Sequence, residues 1–161
     1  MARTNITVRI EEARWRNCGV ESERVRAAAR LALARGLAHD TQHGTTEGRS
    51  LTVLLASDER LRELNRRFRG KDAPANVLSF PTGVNGRNYV GDVAIAFGTA
   101  AREAAAAKKV LVDHVLHLTV HGVLHLLGYD HAKAQAARAM ERLEIAVLRD
   151  LGIPNPYAER A

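Results

Sequence analysis

The chain has 161 residues, 46% apolar and 26% charged, the balance of a soluble globular domain long enough to bury a core. Lys and Arg outnumber Asp and Glu by 24 to 18, a net charge of +6 that favours a polyanionic partner such as nucleic acid. A lone cysteine, Cys18, excludes an internal disulfide and fits a reducing compartment. The start, Met-Ala-Arg-Thr-Asn, lacks the apolar segment of a signal peptide. The most apolar window, Val110 to Leu127, is broken by Asp113, Thr119, Gly122 and four histidines, so no membrane span or membrane partner is expected. A cytoplasmic protein is the expectation.

In chain order, Thr4 to Ile10 alternates as a strand does, with Ile6, Val8 and Ile10 on one face. Ser22 is placed to cap a helix from Glu23 to about Arg35, with Gly36 as its stop. His39 to Arg49 is polar and aperiodic and reads as a loop, in which His39 and His43 are surface residues. Ser50 to Ala56 is a continuous apolar run suited to a strand buried on both faces. Ser57 or Asp58 then caps a short helix through Leu61, Leu64 and Phe68, closed by Gly70. Arg60 to Lys71 carries six basic residues against one acid, Glu63.

Pro74 opens a second extended segment, Asn76 to Phe80, stopped by Pro81. After the turn-rich run from Thr82 to Asn88, Tyr89 to Ala96 resumes strand character, and the pair predicts an antiparallel hairpin with a long loop. Three helices complete the chain: an alanine-rich one to about Lys108, Val110 to Leu127, and Lys133 to Leu151. The order β-α-β-α-β-β-α-α-α points to a single α/β (α+β) domain over residues 1–161, a small mixed four-stranded sheet with about five helices.

Five of the seven histidines fall between positions 114 and 131. At about 100° per residue, His114, His117, His121 and His125 lie within an arc of about 80° on one helix. Buried there as bystanders, each needs its own polar partner, so a shared role explains them better. His121 and His125 stand one turn apart and can reach one metal ion, and Gly128 frees the chain to return His131 as a third ligand. Three nitrogens and an open fourth position describe catalytic zinc. His114 is about 10 Å along the axis from His121 and His117 about 6 Å, so neither joins the ligand set. His117 is expected behind the ligands or facing substrate. Asp130 competes as third ligand; His131 is preferred, and Asp130 is assigned to orienting a ligand histidine or accepting a proton.

The run His121-Gly-Val-Leu-His125-Leu-Leu-Gly-Tyr-Asp-His131 has the histidine spacing of metzincin peptidases, with Gly122 in place of their glutamate. It also resembles the YbeY family of bacterial metal-dependent endoribonucleases. The blocks Phe68-Arg69-Gly70-Lys71-Asp72, Asn76-Val77-Leu78-Ser79-Phe80-Pro81, Gly91-Asp92-Val93, Met140-Glu141 with Glu144, and Asn155-Pro156-Tyr157 extend the likeness in order and spacing. Ala75 departs from the threonine many members carry there. The resemblance implies one zinc ion on His121, His125 and His131, single-strand-specific RNA cleavage in 16S rRNA 3′-end maturation, and ribosome quality control. It further implies the small ribosomal subunit, a ribosomal protein or an assembly GTPase as partner. Arg69, matching the family's arginine, is then the group that neutralises a phosphodiester, with Arg66, Arg67 and Lys71 adding phosphate affinity. Ser79 and Asp92 either line the cleft or bond internally, the internal role being favoured for Asp92. A metzincin-like peptidase and a non-catalytic assembly factor with structural zinc are the alternative readings.

Overall fold

The computed structural model describes residues 3–38, 46–82 and 88–158. His39, His43 and the middle of the run between Thr82 and Asn88 lie outside these residues. The strands are β1 (Asn5–Ile10), β2 (Ser50–Ala56), β3 (Val77–Pro81) and β4 (Tyr89–Ala96); the helices are α1 (Ser22–Ala38), α2 (Asp58–Arg69), α3 (Phe97–Ala106), α4 (Leu111–Leu126) and α5 (Ala134–Asp150). Strand order is β1-β2-β4-β3, with β1, β2 and β4 parallel and β3 antiparallel to β4. The expected mixed four-stranded sheet and five helices are present, and the class is α+β.

Alternation along the strands decides the layers. Leu51, Val53 and Leu55 of β2 and Val93 and Ile95 of β4 are fully buried against α1, α4 and α5 in the main core. The opposite face is covered only in part, by α2, where Leu61 and Leu64 meet Leu78, Ala94 and Ala96. β2 therefore is not buried on both faces, as its continuous apolar run suggested. Thr52 and Leu54 are half-buried and line an open groove beside Arg9, Arg67 and Asp92. One short helix cannot cover a four-stranded sheet.

The helix ends follow their side chains. Ser57 Oγ accepts from the Arg60 N–H at 3.1 Å, and Gly70, at φ 69°, closes α2 with its N–H on the Arg66 carbonyl. Phe68 is not part of the buried stripe. It is 62% exposed and packs edge-on against Phe80, ring centroids 5.6 Å apart. Gly36, expected to end α1, sits inside it. The helix continues because α4 crosses close by at that point: a Cβ there falls 2.5 Å from Leu127 Cδ1, and the Tyr129 hydroxyl donates to the Gly36 carbonyl at 2.8 Å. A short 3-10 turn, Ala13–Asn17, too short for a periodic signal, buries Trp15, whose indole N–H donates to the Ala56 carbonyl at 2.9 Å.

The contact that places α4 is at Gly122. A Cβ there falls 2.5 Å from Val93 Cγ1, 3.2 Å from Val77 Cγ2 and 3.3 Å from Ser79 Oγ. Ser79 Oγ in turn donates to the Gly122 carbonyl at 2.8 Å, beyond the helix's own bonding. Val93 is branched at Cβ and fully buried, so it has little room to yield. Gly122→Ala is expected to destabilise the protein by about 1–3 kcal/mol through overpacking, despite alanine's better helix propensity of about 1 kcal/mol. Urea unfolding at equilibrium measures this; a variant as stable as the parent contradicts the close approach.

Candidate metal centre

α4 carries four histidines on one side and stops where the metal site needs it to. Gly128, at φ 96°, takes the left-handed conformation after the last turn. Its N–H reaches the His125 carbonyl at 3.0 Å and the Tyr129 N–H reaches the Leu124 carbonyl at 3.1 Å, the paired bonds of a Schellman stop. The chain then turns back and delivers His131. One ring nitrogen from each of His121, His125 and His131 lies within 4.8 Å of the others. His121 and His125 are half-buried and His131 is exposed, so the group is open on one side.

The donor set fits a metal ion. His121 Nε2 and His125 Nε2 face each other at 3.1 Å. Burial, and then the neighbouring His121 and His131, push His125 below the ordinary histidine range, against an opposing backbone hydrogen bond at Tyr129 and the charge of Glu144. A neutral imidazole offers a lone pair, and convergent lone pairs are relieved when a cation lies between them. Three imidazole nitrogens with one open side suit a metal ion in a site that keeps a position free, rather than a closed structural site.

Arg69 shares the site. A cavity of about 470 Å³ is lined by Arg69, Asn76 and Ser79 on one side and by the three histidines on the other. Arg69 Nη2 donates to the Ser79 carbonyl at 3.1 Å, and its guanidinium lies 6.0 Å from the centroid of the Phe80 ring. The side chain is thus braced by the end of α2 and by β3, with further N–H donors beside the histidines. Ser79 is at the cavity, whereas Asp92 is on the opposite face of the sheet, where the Tyr89 hydroxyl donates to it. Asp92 is exposed there, away from the histidines.

The other two residues singled out from the sequence sit differently. His117 is turned away from the Arg69 cavity. Its Nε2 lies 2.6 Å from Glu144 Oε2 and 3.2 Å from the Tyr157 hydroxyl. Asp130 is exposed, and its Oδ1 accepts from the Ala132 N–H at 3.1 Å, capping the turn before α5. The carboxylate hydrogen-bonded to a ligand histidine is Glu144, whose Oε1 lies 3.1 Å from His121 Nδ1. The sequence marks Glu144 as part of the family-like block with Met140 and Glu141 and as a glutamate on the inward side of the α5 stripe, but neither signal names His121 as its partner. His114, one turn before His117, pairs through Nε2 with Glu103 at 2.9 Å.

Glu144 is 1% exposed. Burial alone pushes its pKa up, but hydrogen bonds from His117, His121 and Tyr157 outweigh that and hold it at about 2. An ionised carboxylate only accepts, so all three neighbours donate to it.

Gly122 bears on the peptidase reading. Metzincins carry their glutamate at this position, but here it faces Val93 and Val77 with no room for a side chain. The three-histidine spacing is kept while the position for that base is packed against the sheet.

Comparison with known proteins gives a consistent answer. The family model described as "Endoribonuclease YbeY" matches residues 10–152. An endoribonuclease YbeY of Paramagnetospirillum magneticum is 43% identical over 163 residues, covering 96% of this chain and 96% of that protein. The Rhodopseudomonas palustris protein of the same name is 44% identical over 140 residues, covering 82% of this chain and 74% of its own. A solution structure from Thermotoga maritima shares the fold at a TM-score of 0.56 and 21% identity, with 91% of both chains covered. The match runs from the last residue of β1 past the end of α5 and contains Arg69 and all three histidines, and the chain belongs to the YbeY family.

Proposed function

We propose that this protein is a zinc-dependent endoribonuclease that cleaves single-stranded RNA. The observation that carries this reading is the cavity shared by Arg69 and the three histidines, which sets a fixed cation beside a prospective metal site. The names of its relatives support the same activity. His121, His125 and His131 would hold the zinc, which would supply Lewis acidity and a source of hydroxide near neutral pH.

The protein's own groups do the rest. Arg69, braced on Ser79 and Phe80, binds a non-bridging phosphate oxygen as charge builds there. Asp130, exposed and next to His131 in the chain, accepts a proton in this reading. Arg66, Arg67 and Lys71 are exposed at the end of α2 and give sequence-independent affinity for neighbouring phosphates. Arg62 is engaged with Asp72, and Arg60 with Glu63 and Glu11, so those two contribute less. With aromatic residues at 4%, stacking platforms are few and recognition leans on the backbone. On the family resemblance, the RNA is the 3′ end of 16S rRNA and the setting is ribosome quality control in the cytoplasm. A ribosomal protein or an assembly GTPase is the partner there. Among the described residues no helix is long and apolar enough to cross a membrane.

His125→Ala is expected to lose both zinc and RNA cleavage, read by metal analysis and by gel assay of single-stranded RNA; full cleavage by that variant refutes the proposal. Arg69→Ala is expected to keep its zinc and lose about 10²- to 10³-fold in kcat, the cost of one donor to a developing anion. Arg67→Ala is expected to weaken binding evenly across RNA sequences and to reduce the slope of log affinity against log salt by about 0.7, measured by fluorescence anisotropy in a salt series.

A further inference from the structure

Behind the three histidines lies a second polar group, centred on Glu144, which with Tyr157 also lines a cavity of about 360 Å³ shared with His121 and His131. Glu144 comes from α5, His117 and His121 from successive turns of α4, and Tyr157 from the segment after α5. The carboxylate is almost fully buried and accepts three bonds: His121 Nδ1 at 3.1 Å, His117 Nε2 at 2.6 Å and the Tyr157 hydroxyl at 2.5 Å. Such a group is expensive to bury, and in a protein this small it invites replacement by an apolar residue unless it serves a purpose.

Its effect on His121 supplies one. An imidazole has two nitrogens and, when neutral, one proton. Binding that proton at Nδ1 leaves Nε2 bare, and Nε2 is the atom that faces His125 at 3.1 Å. Without the carboxylate the proton is free to sit on Nε2, where it blocks the ligand position, and the ring is free to turn about its χ2 torsion. His117 and Tyr157 occupy the other oxygen, Oε2, so Oε1 stays aimed at His121. They act at one remove, by fixing the carboxylate that fixes the ligand.

We propose that Glu144 is a positioning residue for the metal centre, selecting the Nδ1–H form of His121, and that His117 and Tyr157 hold Glu144 in place. The inference rests on the reading of His121, His125 and His131 as metal ligands, and it gives His117 a role behind the site rather than against substrate. It also makes the segment carrying Tyr157 part of the metal centre.

The test is zinc affinity by chelator competition, on the full chain, with the unfolding temperature of each metal-free variant measured alongside. Glu144→Gln keeps the size and removes the charge. It is expected to bind zinc about 10- to 100-fold more weakly, the usual effect of losing such a partner. Tyr157→Phe removes one hydroxyl from a half-buried ring and is expected to fold normally with a several-fold smaller loss, so it carries the test if Glu144→Gln does not fold. Nitrogen-15 spectra of metal-free protein give a second readout that loss of stability alone does not move: His121 is expected as the Nδ1–H tautomer in the parent and as a mixture in the variant that folds. Zinc affinity within two-fold of the parent in both variants overturns the proposal, as does an Nε2–H tautomer in the parent. If the parent binds no zinc, the metal reading itself fails, and the His121 tautomer alone then decides whether Glu144 orients the ring.

Discussion

The closeness of α4 to the sheet governs this structure. Gly122 lets the helix backbone come down onto Val93 and Val77, near enough for the Ser79 hydroxyl to reach its carbonyl. That contact joins the element carrying His121 and His125 to the strand that braces Arg69. A larger residue at 122 lifts the helix by the size of a methyl group or more, and the histidines move away from the guanidinium with it. Preorganised electrostatic sites tolerate little of this, because a donor is effective only within hydrogen-bond reach of the developing charge. A position that carries the catalytic base in one class of metalloenzyme thus serves here to set the spacing of another.

The site is assembled from parts of differing rigidity. His121 and His125 ride on a helix whose inner face is wholly buried, and Arg69 is the last residue of α2, held by a carbonyl and an aromatic ring. His131 is exposed on the turn between α4 and α5. Two ligands are therefore fixed by the core and the third by a turn, and the turn depends on the left-handed Gly128 and on the bond between Asp130 and Ala132. An open side and one exposed ligand suit a substrate as large as a nucleic acid strand better than a closed pocket does.

Much of this was legible in the sequence wherever the determining interactions are local. The Ser57 cap, the Gly70 stop, the β3–β4 pairing and the histidine cluster each depend on residues near one another in the chain. Readings that needed a distant partner fared less well. Gly36 reads as a helix stop because nothing in α1 reveals that Leu127 and Tyr129 pack against it. β2 reads as doubly buried because its run of leucines does not show that α2 is too short to cover the second face. The 3-10 turn around Trp15 has too few residues for a period. Glu144 illustrates the limit most clearly. Its three partners come from positions 117, 121 and 157, and none of those spacings is a helical or strand period.

Tyr157 has a consequence for the order in which the molecule comes into being. During synthesis α4 leaves the ribosome first, and the three histidines are exposed before α5 and the final segment are available. If Glu144 orients His121, a nascent chain at that stage has all its metal ligands but not the group that readies one of them. Tight metal capture then waits until Tyr157 has emerged and docked.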